Sequence, residues 1–233
     1  MPFLTTNVIN QAYYQDEFQL IVVYGPLGFG KSAYALKVAT EIYGDYEKVK
    51  NYVVFHPKDF VERCLRMSEQ QKRDKLLIWD DAGLWLFYMQ FTDPFVQAVI
   101  KYMNVASTNW AAMILTTPSP AWVAHKLRNF PQNISIKIIK QGSDFKNPSK
   151  PRIAKAYRSW VAPDFRHQGV RLLYQDQFSA MLPNDFFNNW YKPLRDTYAL
   201  EAGQNMQREL LKINKKTTPE LEEAIAHTKP YTI

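Results

Sequence analysis

Apolar and polar positions along the chain fall into two alternating kinds of segment. Leu20, Ile21, Val22, Val23 and Tyr24 form an unbroken β-branched and aromatic run that stops at Gly25, the pattern of a strand buried on both faces. Good helix formers follow over 31–43, with Ala35, Leu36, Ala39, Ile42 and Tyr43 at amphipathic spacing. Further strand runs lie at 52–55, 76–79, 112–115 and 134–139. Between them the pattern predicts helices over 57–67, opened by Pro57, over about 93–106 and over roughly 121–129. A short helix fits the polar and aromatic residues before the first strand, and the charged stretch 68–74 reads as a surface connection.

Strands alternating with helices of this length argue for βαβ units and an α/β fold. The prediction is three layers around a mainly parallel five-stranded sheet. Past Gln141 the pattern changes to a polar loop over 142–151 and a strand pair at 153–160 and 170–174. A helical stretch over 185–202 follows, with Pro193 expected to break or kink it, then helices over 204–215 and 220–227. The organisation predicted is a core over 1–141 and, over 142–233, a sheet extension with a C-terminal helical region.

Composition narrows the picture in three ways. The 233 residues carry a net charge of +7, which favours a polyanionic partner such as DNA. Cys64 is the single cysteine, so an internal disulfide and a cysteine-rich zinc site are excluded, and a reducing cytoplasmic compartment is expected. The start of the chain lacks the basic-then-apolar pattern of a signal peptide, and no apolar run approaches membrane-spanning length; a soluble protein with no membrane partner is expected.

Glycine is scarce, 8 residues in all, yet three of them fall within 25–30. Gly25, Pro26, Leu27, Gly28, Phe29, Gly30, Lys31 and Ser32 match G-x-x-x-x-G-K-[ST] at every defined position. A loop of this kind points successive backbone N–H groups at a phosphate and feeds a helix whose N-terminus faces the same charge. Lys31 then reaches the β and γ phosphates, the Ser32 hydroxyl ligates Mg²⁺, and Ala33 completes the nucleotide-contacting set. The required context, strand before and helix after, is present. The run 76–79 ends in Asp80 and Asp81, and an apolar strand ending in a carboxylate supplies the second metal-holding group of such a site, here Asp80. ATP and Mg²⁺ are the cofactors these motifs predict.

These parts, in this order, resemble the AAA+ branch of P-loop ATPases. More narrowly, Trp79-Asp80-Asp81-Ala82-Gly83, Thr116-Thr117-Pro118-Ser119-Pro120 and Lys126-Leu127-Arg128 resemble the small DnaA-like ATPases of archaeal spindle-shaped viruses and plasmids. The resemblance covers about 19–140. It implies ATP hydrolysis by an oligomer acting on DNA in replication, with Asp81 as the base that polarises the attacking water. The alternative for Asp81 is a carboxylate capping the turn before Gly83. The resemblance also implies a γ-phosphate sensor at Thr116 or Thr117, with Thr117 preferred, and an arginine finger at Arg128. His56, ending the second strand run, occupies the place of a polar switch residue or is a surface histidine. Arg152, Arg158, Arg166 and Arg171 are rival fingers or phosphate contacts, and the basic, aromatic stretch 137–171 is a candidate DNA contact.

The strand-like sequence after 139 departs from the AAA+ pattern, where a helical lid follows. It keeps open a second reading, a genome-packaging or DNA-translocating motor. Such motors usually carry a Gln after the fourth strand, and none occurs at 116–120. A nucleotide-binding switch or a small-molecule kinase is the third reading, but no basic lid over an acceptor pocket is evident.

Overall fold

The computed structural model describes residues 2–90, 92–141, 147–161 and 168–226. The chain divides into two compact units, 1–182 and 183–233. In the first, the elements run α1 (Leu4–Tyr14), β1 (Gln19–Tyr24), α2 (Lys31–Tyr43), α3 (Tyr46–Val49), β2 (Val53–Val54), α4 (Pro57–Glu69) and β3 (Asp74–Trp79). They continue through α5 (Pro94–Met103), β4 (Trp110–Thr117), α6 (His125–Arg128), β5 (Ile134–Lys140), β6 (Pro151–Val161) and β7 (Gln168–Ser179).

The seven strands form one sheet in the order β2-β3-β4-β1-β5-β6-β7. The first five pair in parallel, and β6 and β7 add in antiparallel fashion to the β5 edge. The expected mixed α/β architecture is therefore present, including the strand pair that extends the sheet. The break in sequence pattern near 141 marks where parallel pairing ends; the hydrogen-bonded sheet runs on through β7.

Burial follows from the strand composition. Leu20–Val23 and all of 110–117 are buried, as expected of central parallel strands covered on both faces. On one face α4 and α5 bring Phe60, Cys64, Met67, Val96, Val99 and Met103 against Leu77, Trp79, Met113 and Leu115. Burial pushes the Cys64 thiol up to about 11, so it behaves as a small apolar side chain. α1 and α2 cover the other face.

The extension is tied to this second layer by a buried carboxylate. Asp176 on β7 accepts the Tyr34 hydroxyl at 2.6 Å, the Leu4 N–H at 2.8 Å, the Thr5 N–H at 3.3 Å and the Thr5 hydroxyl at 3.2 Å. Phe3 at the start of α1 offers no side-chain cap, so Asp176 supplies from another element the negative charge a helix N-terminus favours. Replacing Asp176 with alanine strands several buried donors. It is expected to cost about 2–4 kcal/mol of stability, read as a lowered midpoint in urea unfolding.

Several local expectations are corrected. The strand at 52–55 is only two residues long, Val53–Val54, because a 3₁₀ turn occupies Lys50–Tyr52. The helix over 121–129 is a 3₁₀ turn, Pro120–Trp122, and then the single turn α6. Between them Val123 forms an isolated antiparallel bridge with Phe87, and the Ala124 N–H donates to the Leu86 carbonyl. Tertiary pairing overrides local helix preference there.

The second unit begins with the single turn α7 (Asn184–Phe186) and a π-helical turn at Phe187–Tyr191, which run into α8 (Lys192–Ala226). The π turn just ahead of Pro193 accommodates a residue that has no N–H to give to an i−4 carbonyl. The separate helices expected at 204–215 and 220–227 are one continuous helix as far as Ala226; His227 lies outside the described residues, as do Arg166 and residues 142–146 of the polar loop. Among the described residues no helix is long and apolar enough to cross a membrane.

Candidate nucleotide site

The loop between β1 and α2 takes a shape few sequences permit. Gly28 and Gly30 have φ of +74° and +93°, in the left-handed region where a side chain is disfavoured. At Gly30 a Cβ would also come within 2.9 Å of the Ala180 Cβ and 3.2 Å of Arg152 Cδ. The Phe29 N–H closes onto the Pro26 carbonyl at 3.3 Å. The first α-helical bond is made by the Tyr34 N–H to the Gly30 carbonyl, so the N–H groups of Lys31, Ser32 and Ala33 lie at the orphan end of α2. No side chain caps that end. Lys31 is buried, and its Nζ donates to the Pro26 carbonyl at 3.2 Å, arching back over the loop. Pro26 and Leu27 are exposed at the loop's rim.

Strand order brings the carboxylate to this loop. β3 ends beside β4, and Trp79 pairs with Leu115, so Asp80 is level with Thr116. Asp80 Oδ1 accepts the Ser32 hydroxyl at 2.8 Å and the Thr116 hydroxyl at 2.5 Å, while its N–H is held by the Val54 carbonyl at 2.9 Å. Asp80 is 2% exposed. The Thr116 hydroxyl also accepts the Asp81 N–H at 2.8 Å. Asp81 adopts φ of +51°, a left-handed conformation that Asp tolerates better than most residues. Its carboxylate does not cap the 3₁₀ turn that follows, which removes the turn-capping reading. Gly83 lies in that turn, where a Cβ would collide with Thr117 Oγ1.

Of the residues singled out in the sequence, Ser32 and Asp80 are joined by a hydrogen bond beside Lys31, and Asp81 follows Asp80 with its N–H held by Thr116. Thr116 joins them. Thr117, on the next position of the strand, instead donates its hydroxyl to the Ser119 carbonyl at 3.0 Å. His56 caps α4, its Nδ1 accepting the Lys58 N–H at 3.1 Å, and its ring packs edge-on against Trp85. Arg128 ends α6, shortly before β5 begins, and its carbonyl is held by the Asn133 side chain. That places it toward the sheet end opposite the loop. The residue the sequence left unranked is Arg152, which is 3% exposed and packed against Gly30.

The donor set fits the groups the motif implies. Ser32 and Asp80 offer only oxygen, as a hard divalent cation requires, and the loop offers backbone N–H groups and one ammonium to phosphate. Ser32 would ligate Mg²⁺ directly, Asp80 would hold its water shell, and Lys31 would hold the phosphates.

No known protein-family profile matches the chain. It is similar to uncharacterized protein B-251 of Sulfolobus spindle-shape virus 1, 32% identical over 136 residues that cover 54% of this chain and 53% of that protein. It is also similar to uncharacterized protein ORF286 of Acidianus two-tailed virus, 29% identical over 140 residues covering 58% and 49% respectively. The chain thus spans about half the length of the curated relatives it matches. Among solved structures, a KaiC-like protein from the hyperthermophilic archaeon Pyrococcus horikoshii aligns over 66% of this chain and 89% of its own, at 14% identity and a TM-score of 0.34.

Proposed function

We propose that the chain is a magnesium-dependent ATPase that acts on DNA in the replication of an archaeal virus or plasmid, working as an oligomer. The observation that carries the ATPase reading is the chain of hydrogen bonds from Ser32 through Asp80 to Thr116, set beside a phosphate loop over which Lys31 arches. Magnesium held at Ser32 and Asp80 would supply positive charge against the charge that develops on the phosphates. Asp81, its backbone fixed by Thr116, takes the proton of the attacking water. Arg128, whose side chain has no hydrogen bond or ion pair among the described residues, is the candidate to reach a neighbouring subunit's site. The similarity to two proteins of archaeal viruses supports the viral setting.

The DNA part rests on the open face of the extension. There Lys137 lies directly across from Lys155, and Ser135 across from Tyr157. Arg158, paired with Arg171, alternates to the opposite face, where it donates to the Gln19 Oε1 at 3.1 Å. Like charges opposed across strands destabilise a sheet, and phosphates laid along it offset the repulsion. Tyr24, Ser135, Lys137, Tyr157, Ser159 and Val170 line a hollow of about 340 Å³ beside the two lysines. Tyr157, on the same face as the two lysines, is available for stacking on a base. A packaging or translocating motor, the second reading, shares the antiparallel extension of the sheet. Fluorescence anisotropy with labelled DNA at low salt tests the interface. Wild type is expected to bind, and the Lys137→Glu, Lys155→Glu double variant to bind at least about tenfold more weakly. Equal binding by both proteins, or none by wild type, contradicts it. Displacement of a bound triplex strand during ATP turnover would favour the motor.

A further inference from the structure

Arg152 enters the sheet extension at the start of β6 and is 3% exposed. A guanidinium stays charged in proteins and is seldom buried without a counter-anion. Here it donates from one terminal nitrogen to the Pro148 and Lys150 carbonyls at 2.8 and 3.2 Å. Its Nε is buried with no hydrogen-bond partner, and it has no carboxylate partner among the described residues. Burial pushes its pKa down, the mark of a charge whose lost hydration is not fully replaced.

What the guanidinium faces is the phosphate loop. A Cβ built at Gly30 would lie 3.3 Å from Arg152 Nε. Lys140, its cross-strand partner on β5, places its ammonium 4.8 Å from the centre of the Phe29 ring in the same loop. One cation from β5 and one from the extension therefore border the loop, which already holds Lys31 and the positive end of α2. In the free protein this concentration of like charge is unfavourable, and an anion in the loop relieves it.

We infer that Arg152 is a second phosphate-binding cation of the nucleotide site, supplied in cis by the antiparallel extension. The inference rests on the reading of the loop as a nucleotide site and deepens it. The sheet order fixes which phosphates it serves. Asp80 approaches from β3, two strands to one side of β1, and Arg152 from β6, two strands to the other. On the nucleotide-site reading, the Asp80 side would hold the metal and with it the γ phosphate. Arg152 therefore serves the phosphates common to ADP and ATP, and its role is binding and not turnover of the terminal group.

The test is calorimetric titration of the full chain with Mg-ADP and with a non-hydrolysable Mg-ATP analogue, for wild type, Arg152→Met and Lys31→Ala. Arg152→Met keeps an apolar stem of similar length without the charge. Its affinity for both nucleotides is expected to fall on the order of tenfold, the scale of a lost charge-assisted hydrogen bond. Unchanged affinity for both overturns the inference, and so does a loss confined to the ATP analogue. If Lys31→Ala abolishes binding while Arg152→Met does not, the inference fails alone; if wild type binds neither nucleotide, the nucleotide-site reading fails with it. Should Arg152→Met not fold, Arg152→Gln, which keeps a donor for the Pro148 carbonyl, is measured in the same way and judged by the same outcomes.

Discussion

Replacing Lys31 with alanine is expected to lower ATP turnover on the order of a thousandfold, the range for removing a cation aimed at a transferring phosphoryl group. The side chain is 6% exposed, and its reach over the loop is fixed by the Pro26 carbonyl. No other lysine occupies the loop 25–32. The fold should survive the change. Phosphate release and thermal unfolding, measured together, separate loss of chemistry from loss of structure. A variant that hydrolyses ATP at more than about a tenth of the wild-type rate is incompatible with this role for Lys31.

Asp81→Asn is expected to separate binding from hydrolysis. A carboxamide cannot take the proton of an attacking water, and loss of a general base costs about 10²–10⁴ in kcat. Affinity for ATP should stay within a few-fold, because Ser32, Asp80 and Lys31 are untouched. Asparagine suits the position as well as aspartate does: it tolerates the φ of +51°. The hydrogen bond to Thr116 comes from the backbone N–H and is retained. Equilibrium binding of a fluorescent ATP analogue alongside single-turnover hydrolysis gives the split. Hydrolysis at the wild-type rate removes Asp81 as the base and leaves the loop assignment standing.

Local chemistry was legible where a run of residues determines its own conformation. The glycines at 28 and 30 announced a loop with positive φ, and the unbroken apolar runs announced strands buried on both faces. What spacing does not carry is the partner across the sheet. Thr116 and Thr117 are equivalent in sequence, and only the pairing of Trp79 with Leu115 brings Thr116 to Asp80. Arg152 was one of several arginines in a basic stretch; its burial against Gly30 is a contact across more than 120 residues of chain. The helix boundaries expected between 202 and 204 and between 215 and 220 are absent from α8. Gly203 costs roughly 1 kcal/mol inside a helix, which a helix as long as α8 absorbs, and a π turn absorbs Pro193. The short α6 erred in the other direction, since the bridge from Val123 to Phe87 pulls apart a stretch with the composition of one helix.

The most direct test is steady-state hydrolysis of ATP in the presence of magnesium by wild type, Lys31→Ala and Asp81→Asn, each with its nucleotide affinity measured on the same preparation. The account predicts phosphate release by wild type that disappears when magnesium is chelated and is lost in both variants, with Asp81→Asn still binding ATP. Wild-type protein that is folded yet neither binds nor hydrolyses ATP, or activity that persists in Lys31→Ala, would contradict it.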